Sequence, residues 1–564
     1  MLWDRGVTRR ARTAPIIRET LRDSVQVREI FDSLLRNGAR ASLRTQGQAL
    51  AARPLFDPGA GWCWQLDDVT DSEIEVEIAL EGCYSLYQLR VLNATREGER
   101  LITPLPDTMV RTRRRMHRRV QADANDVLRD ARGGGLGTYR LGTLAHEGFS
   151  FEAQSRRLYD VGETVEQLEL HASDGAVFSV VGEVRSISPA RLEGGYSYGV
   201  QLIGEPAAAG ARWRDWIHGR LYPTIQTGPE HNDSVWQLFA DAGYFSLSGK
   251  RPEEFEPDKE SYFDFTRSCA RARDIGARIV VPSARGAEAS KGFIKPYSTT
   301  WLNQHMARRR DGGAPGRRML REMYFAAYEP LLLDEDCKWI LAMCEGTVSW
   351  TKMAHLAFAR DYEGIGEAYL QAFRLMEMTA APLTEEPRGD LRIARASADQ
   401  REQVLDHLVR TRSRIYLESL DLLPETFDLE AVSRRWGQAG LERERALYIA
   451  SRDGRALAAA IIERGTPGSN LFRLVDAVRL VKLAPLVADE QEEIFAQLLA
   501  AAADYFHRHG HRAFDYYREG ADGRHTDGLR DLGPGTMCVF SHAVLPDFLD
   551  HVYRITRPSE GGLS

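Results

Sequence analysis

Up to about residue 220 the apolar residues of this chain recur at every second position, in short runs bounded by glycine and proline. Beyond residue 230 short apolar runs alternate with segments of helical period. This switch of period constrains the fold more than any motif, because strand side chains alternate between two faces whereas a helix repeats every 3.6 residues. The first part is therefore expected to form small antiparallel β domains, and the second a series of helices and strands. The clearest period-two runs cover residues 73–80, 87–92, 161–170 and 177–185.

Within the first part, residues 26–35 space their apolar side chains as a helix does, with Asn37-Gly38 as a stop. Residues 41–105 read as a β domain, closed by Leu101-Ile102-Thr103-Pro104-Leu105-Pro106, where two prolines interrupt a ladder. The glycine-rich stretch Arg132–Gly137 reads as a hairpin connection, since it opens no helix that could seat a phosphate. Trp62-Cys63-Trp64 alternates as a strand does.

Between the two β regions stands Arg111-Thr112-Arg113-Arg114-Arg115-Met116-His117-Arg118-Arg119-Val120. Six arginines in nine positions repel one another, and they do so in a chain of formal net charge -7. A basic linker in solvent would account for the block taken alone; an anionic partner would account for it as well. Downstream lies Gly142-Thr143-Leu144-Ala145-His146-Glu147-Gly148, and the strand-like runs after it end at Tyr198-Gly199-Val200-Gln201-Leu202.

In these residues the chain resembles the PilZ family of cyclic di-GMP receptors. That family carries an RxxxR signature on an arm entering a small barrel, and a [D/N]xSxxG signature on an early barrel strand. Arg114, Arg115 and Arg119 occupy the first signature; Thr143, Ala145 and Gly148 occupy the second, which keeps only its glycine. The resemblance implies cyclic di-GMP as ligand, bound by Arg114, Arg115, Arg119, Thr143 and Gly148. A guanidinium can fork onto phosphate or a guanine edge and stack on a base, which suits it to this ligand. Losing the Asp/Asn and Ser groups would weaken binding roughly ten- to a hundredfold, at about 0.5–1.5 kcal/mol per hydrogen bond. The order of barrel, proline-closed strand, arm and second barrel is similar to flagellar-brake-type PilZ proteins, and this likeness covers residues 25–220. Trp213 and Trp216, on a short helix, are expected to plug the second barrel.

From residue 230 the expected helices lie at 236–244, 261–273, 317–332, 400–413 and 490–507. The expected strands lie at 277–281, 292–295, 339–343, 391–393, 446–450, 456–463, 474–483 and 512–516, with a proline-containing break at 380–389. The order resembles the GNAT acyltransferase superfamily as a tandem pair. It implies acyl-CoA as a cofactor, seated on the [Q/R]xxGx[G/A]-like loop of Arg309, Gly312, Gly313 and Ala314 ahead of a helix N-terminus. A basic surface loop would give the same letters. The equivalent place in the second unit, Leu483–Glu490, has no glycine and carries Asp489 and Glu490, which suit a helix start and not a phosphate. No acid–base pair stands out, so catalytic residues are unknown.

The expected architecture is multidomain β plus α/β: an N-terminal helical segment (1–40), a flagellar-brake-like β domain (41–108), a PilZ-like barrel with its arginine arm (109–222), and two GNAT-like units (230–382 and 390–560). Apolar content of 43% and charged content of 27% are those of folded domains rather than of a disordered chain. Local basicity within an acidic chain argues against DNA or RNA as a partner. The six scattered cysteines read as reduced and buried, and neither a signal peptide nor a membrane span is evident, so a cytoplasmic location is expected. His507, His509 and His511 suit a helix end better than a metal, and Asp334-Glu335-Asp336 reads as a solvated turn. Three functions follow from this: a cyclic di-GMP-responsive effector acting through a protein partner in motility or surface assembly, a PilZ-like adaptor that has lost the nucleotide, and an acyl-CoA-dependent transferase.

Overall fold

A computed structural model describes most of residues 18–556. Residues 23–26, 29, 32–34, 36–40, 46–47, 51, 58–60, 67–72, 82–83, 98–99, 104–107, 114–116, 131–136, 155–157, 191–194, 204–206, 310–313, 384–389 and 520–527 lie outside the described set, as do the two termini. The chain divides into two compact units, one built on Thr224–Phe548 and the other on Trp3–Pro223 with Leu549–Ser564. The fold is mixed β and α/β, as the change of period requires.

The β unit holds two sheets. In the first, nine strands include Glu73–Glu81 and Ser85–Glu97, which pair antiparallel at its centre, and Met109–Arg113, which leads into the arm. Helical residues around 27–35 supply Val27, Ile30, Phe31 and Leu35 to its core, against Leu43, Trp64, Ile78 and Tyr87. Trp64 buries its indole and donates from Nε1 to Thr103 Oγ1 at 3.2 Å, so the strand expected from Trp62-Cys63-Trp64 faces inward at its second tryptophan.

The second sheet closes on itself. Gly137–Ala145, Val127–Asp130, Thr164–His171, Val177–Pro189, Tyr196–Leu202 and Gly148–Ala153 follow one another around an antiparallel barrel, and the last of them pairs back to the first. Closure removes the sheet edges. The two-residue strand Val120–Gln121 attaches outside this ring. Inside, Leu128, Leu141, Phe151, Leu168, Leu170 and Tyr198 are buried, and Phe151 stacks on Tyr198 at 4.9 Å. Helix Ala207–Leu221 caps the barrel with Trp213 and Ile217, and the Trp213 ring meets Phe178 edge-on at 5.2 Å. Arg220 of that helix ties it to buried Asp126 and lies 4.3 Å over the Trp216 ring. The glycine-rich stretch from Arg132 to Leu136 lies outside the described residues.

The α/β unit contains one eleven-stranded sheet. Its order is Gly276–Ser283, Gly286–Ile294, Thr300–Arg308, Trp339–Glu345, Leu529–Ser541, Ala368–Thr379, Ala513–Arg518, Ala477–Lys482, Arg455–Gly465, Arg443–Arg452 and Arg392–Arg395. The two series expected from the sequence are joined here: Ala368–Thr379 of the first pairs with Ala513–Arg518 of the second, and the last strand, Leu529–Ser541, returns to the middle of the sheet. Two neighbouring pairs are parallel: Thr300–Arg308 with Trp339–Glu345, and Ala477–Lys482 with Ala513–Arg518. Each is connected through a long helix, Ala314–Leu332 and Ala488–Arg508 respectively, as parallel strands require.

One local expectation is corrected. Asp334 is not solvated: it is buried, accepts from Lys295 Nζ at 2.8 Å and from Trp301 Nε1 at 2.6 Å, and fixes the turn ahead of Trp339–Glu345. Three acidic letters in a row suggested solvent, but the lysine and tryptophan that pair with the first lie more than thirty residues upstream in sequence. The five described cysteines are free and buried.

Candidate functional sites

The arm enters the barrel beside the second signature. Val120 pairs with Leu144 and Gln121 with Thr143, so Arg119 stands one residue from a ladder whose other strand carries Thr143 and Ala145. Gln121 Nε2 donates to Gly142 O at 2.5 Å and Ala122 N to the same oxygen at 2.9 Å, fixing the register. The signature then turns. Ala145 pairs with Gly148, leaving His146 and Glu147 at the tip of a two-residue hairpin.

Trp213 holds this tip from the helix side, its Nε1 lying 3.0 Å from His146 O and 3.2 Å from Ala145 O. Thr143 faces the neighbouring strand: its N–H donates to Ser150 Oγ at 2.8 Å, and its hydroxyl lies 2.9 Å from the same oxygen. The Thr143 hydroxyl thus has a partner within the barrel. Gly148 lies against the backbone of Val200, where no Cβ fits.

The arm is pinned by the residues between its arginines. His117 is buried, its Nε2 is 3.4 Å from Glu147 Oε2, and its ring centre is 5.9 Å from that of His146. His146 in turn lies 6.4 Å from His218 of the capping helix, which packs 4.9 Å from Tyr222. Arg118 completes the chain, with its guanidinium 5.5 Å over the Tyr222 ring. Burial, together with the charges of His117, His218 and Arg214, holds His146 well below the usual imidazole range. Of the expected ligand residues, Arg119 is exposed beside the entry strand, and Thr143 and Gly148 lie on the hairpin below it. Arg114 and Arg115 lie outside the described residues.

A second polar constellation crosses the α/β sheet. On one face the register aligns Arg445, Glu463, Ala477, Asp515, Glu377 and Arg530 in a single row. Glu463 is fully buried and takes Arg445 Nη2 at 2.7 Å, Arg443 Nη2 at 2.5 Å and Tyr297 OH at 2.8 Å. Burial alone would raise its carboxyl, but Arg445 and Arg443 hold it well below the usual carboxylate range. Glu377 takes Lys250 Nζ at 2.7 Å and Arg473 Nη1 at 2.6 Å. Asp515 between them has neither oxygen hydrogen-bonded among the described residues, and burial pushes its carboxyl up to about 7, against the pull of Lys250 and Arg473.

The loop expected to seat acyl-CoA is described only at its ends. Arg309 forms an ion pair with Asp241 and donates from Nε to Ala287 O at 3.1 Å; Gly312 and Gly313 lie outside the described residues, and Ala314 opens the helix Ala314–Leu332. Sequence reasoning missed the histidine cluster and the charged row. The row had a visible signal, since Arg445 and Glu463 stand at the ends of the apolar runs 446–450 and 456–462, at positions the strands bury. The histidine cluster had none, since His218 is a hundred residues from His117.

No known family profile matches the sequence, and no curated protein matches it. Among solved structures the chain is similar to the K. pneumonia MrkH–c-di-GMP complex, with 12% identity and a TM-score of 0.33, over 36% of this chain and 96% of that one. It is also similar to Escherichia coli YcgR in complex with c-di-GMP, with 15% identity and a TM-score of 0.31, over 35% of this chain and 90% of that one. A third likeness is to a GCN5-related glucosamine N-acetyltransferase region of a fungal multi-domain GH3 β-N-acetylglucosaminidase. It has 9% identity and a TM-score of 0.31, over 56% of this chain and 38% of that one.

Proposed function

We propose that the chain is a cyclic di-GMP-responsive effector in which the arginine arm and the Thr143–Gly148 hairpin receive the dinucleotide, and the α/β unit is the module it regulates. The observation that supports this is the ladder Val120–Leu144, Gln121–Thr143, at whose start Arg119 stands, beside the strand that carries Thr143. Arg114, Arg115 and Arg119 would fork onto the phosphates and guanine edges. Calorimetric titration with cyclic di-GMP at near-physiological salt tests it, because arginine–phosphate contacts are screened. Saturable heat that disappears in Arg115→Ala is the expected result, and flat traces for both proteins overturn it.

The Thr143–Ser150 contact favours a second reading, in which the barrel no longer takes the nucleotide and serves as a protein-binding adaptor. The same titration separates the two, since an adaptor gives no heat with the dinucleotide. On either reading the proposed division of the chain is a brake-like β domain, a PilZ-like barrel and a pair of GNAT-like halves. The ion pair between Arg309 and Asp241 gives the acyl-CoA seat no support.

A further inference from the structure

His117 sits in the middle of the arm's signature and His146 at the tip of the hairpin's, while His218 comes from the capping helix. The arm, the hairpin and the capping helix therefore meet through imidazoles. We propose that His117, His146 and His218 form a proton-sensitive clasp on the arm, so that cyclic di-GMP binding takes up protons and tightens as pH falls. This rests on the cyclic di-GMP reading and adds its regulation.

The geometry demands a neutral His146 ring. His146 is 4% exposed, and neither of its ring nitrogens has a hydrogen-bond partner among the described residues. The groups facing it are His117 from the arm and His218 and Arg214 from the capping helix, while Glu147 of its own hairpin turns to His117. A proton on His146 would therefore be a buried charge among other cations. The Glu147 carboxylate, half in solvent, lies 3.4 Å from His117 Nε2. Such a clasp is complete above the ordinary imidazole range near ~6.5 and is lost as pH falls through it.

The ligand pushes the same way. Two phosphates arriving on the arm raise the proton affinity of every imidazole near them. Lifting His117 off His146 also lets water reach both rings. Protonation and dinucleotide binding thus favour the same released arm, and each favours the other. Because each proton taken up steepens binding by about tenfold per pH unit, uptake of a fraction of a proton is measurable.

The full chain is titrated with cyclic di-GMP at about pH 6 and pH 8, in buffers of different ionisation heat, beside His146→Phe and the control His171→Phe. The expected result is severalfold tighter binding at the lower pH with net proton uptake, kept by His171→Phe and largely lost in His146→Phe. Equal affinity at both pH values without uptake, or an unchanged pH dependence in His146→Phe, overturns the clasp. The arm is also followed without ligand, by tryptic cleavage within residues 111–119. Cleavage that quickens at the lower pH, relative to an unstructured arginine peptide cut under the same conditions, in the native chain and not in His146→Phe supports the clasp even where the dinucleotide does not bind, and a relative rate independent of pH overturns it. Absence of binding at either pH overturns the cyclic di-GMP reading itself. His146→Gln, which keeps a polar group at the hairpin tip, repeats the comparison should the phenylalanine variant fold poorly.

Discussion

The α-carbon of Gly148 faces the carbonyl oxygen of Val200 so closely that any Cβ would lie far inside van der Waals contact with it. The two residues belong to the neighbouring strands Gly148–Ala153 and Tyr196–Leu202, where Gly148 pairs with Gln201. The one letter that survives in the second signature is therefore required by barrel closure, whether or not a ligand binds. Gly148→Ala is expected to destabilise the barrel by about 2–4 kcal/mol, the range of overpacking and strain in a tight site. Urea unfolding followed by tryptophan fluorescence, Trp213 of the barrel's capping helix being one of the reporters, measures it, and a loss under about half a kcal/mol would show that the strands can part without penalty.

Thr143 and Ala145 stand where the signature calls for Asp or Asn and Ser. Since the Thr143 hydroxyl already meets Ser150, restoring the signature adds acceptors without displacing a ligand-facing group of the native chain. The double variant Thr143→Asp, Ala145→Ser is expected to bind cyclic di-GMP roughly ten- to a hundredfold more tightly, at about 0.5–1.5 kcal/mol per hydrogen bond gained. Calorimetry against the native chain decides it. An unchanged affinity would mean that the arm alone determines binding.

Much of this architecture was legible in the sequence because it rests on local period. The runs at 73–80, 177–185 and 446–450 lie within strands Glu73–Glu81, Val177–Pro189 and Arg443–Arg452, and the helices at 317–332 and 490–507 lie within Ala314–Leu332 and Ala488–Arg508. Strand Leu529–Ser541 escaped notice: its Gly533-Pro534-Gly535 reads as a turn, whereas in the sheet it marks a register shift opposite Leu375 and Met376. The joining of the two α/β series was hidden with it, because it runs through that strand and through Ala368–Thr379, which pairs with Ala513–Arg518 and was not expected either. The arm was visible as charge, but its anchor was not. His117 draws its meaning from His146 and His218, and periodicity carries no information about which distant side chains meet.

Glu463 holds Arg443 and Arg445, neither of whose side chains reaches solvent. Glu463→Gln leaves two buried guanidinium groups without their carboxylate and is expected to cost about 3–5 kcal/mol, the range for breaking a buried pair from one side. The sign with pH follows from the depressed carboxyl. Its contribution is complete above the ordinary glutamate range and is lost as pH falls through and below it. Denaturant midpoints near neutral pH and near pH ~4 should therefore differ less in the variant than in the native chain. Equal midpoints for the two proteins at neutral pH would show that the carbonyl partners of Arg443 and Arg445 suffice.

Asp515 gives the opposite slope. Burial raises its carboxyl from 3.8 to about 7, and neither oxygen is hydrogen-bonded among the described residues. A folded state that binds this proton more tightly than the unfolded chain loses stability as pH rises from the ordinary aspartate range to near 7. Over that window the loss is about 4 kcal/mol, at about 1.4 kcal/mol per pH unit. Asp515→Asn keeps the shape and removes the titration, so the variant should be more stable than the native chain at pH values above 7 and no more stable at the acidic end. Its advantage over the native chain should grow as pH rises across that window. The comparison is made by urea unfolding of both proteins in steps across that window. A difference between the two midpoints that does not change across the window would mean that Asp515 is already ionised in the fold, held by Lys250 and Arg473 across the row it shares with Glu377.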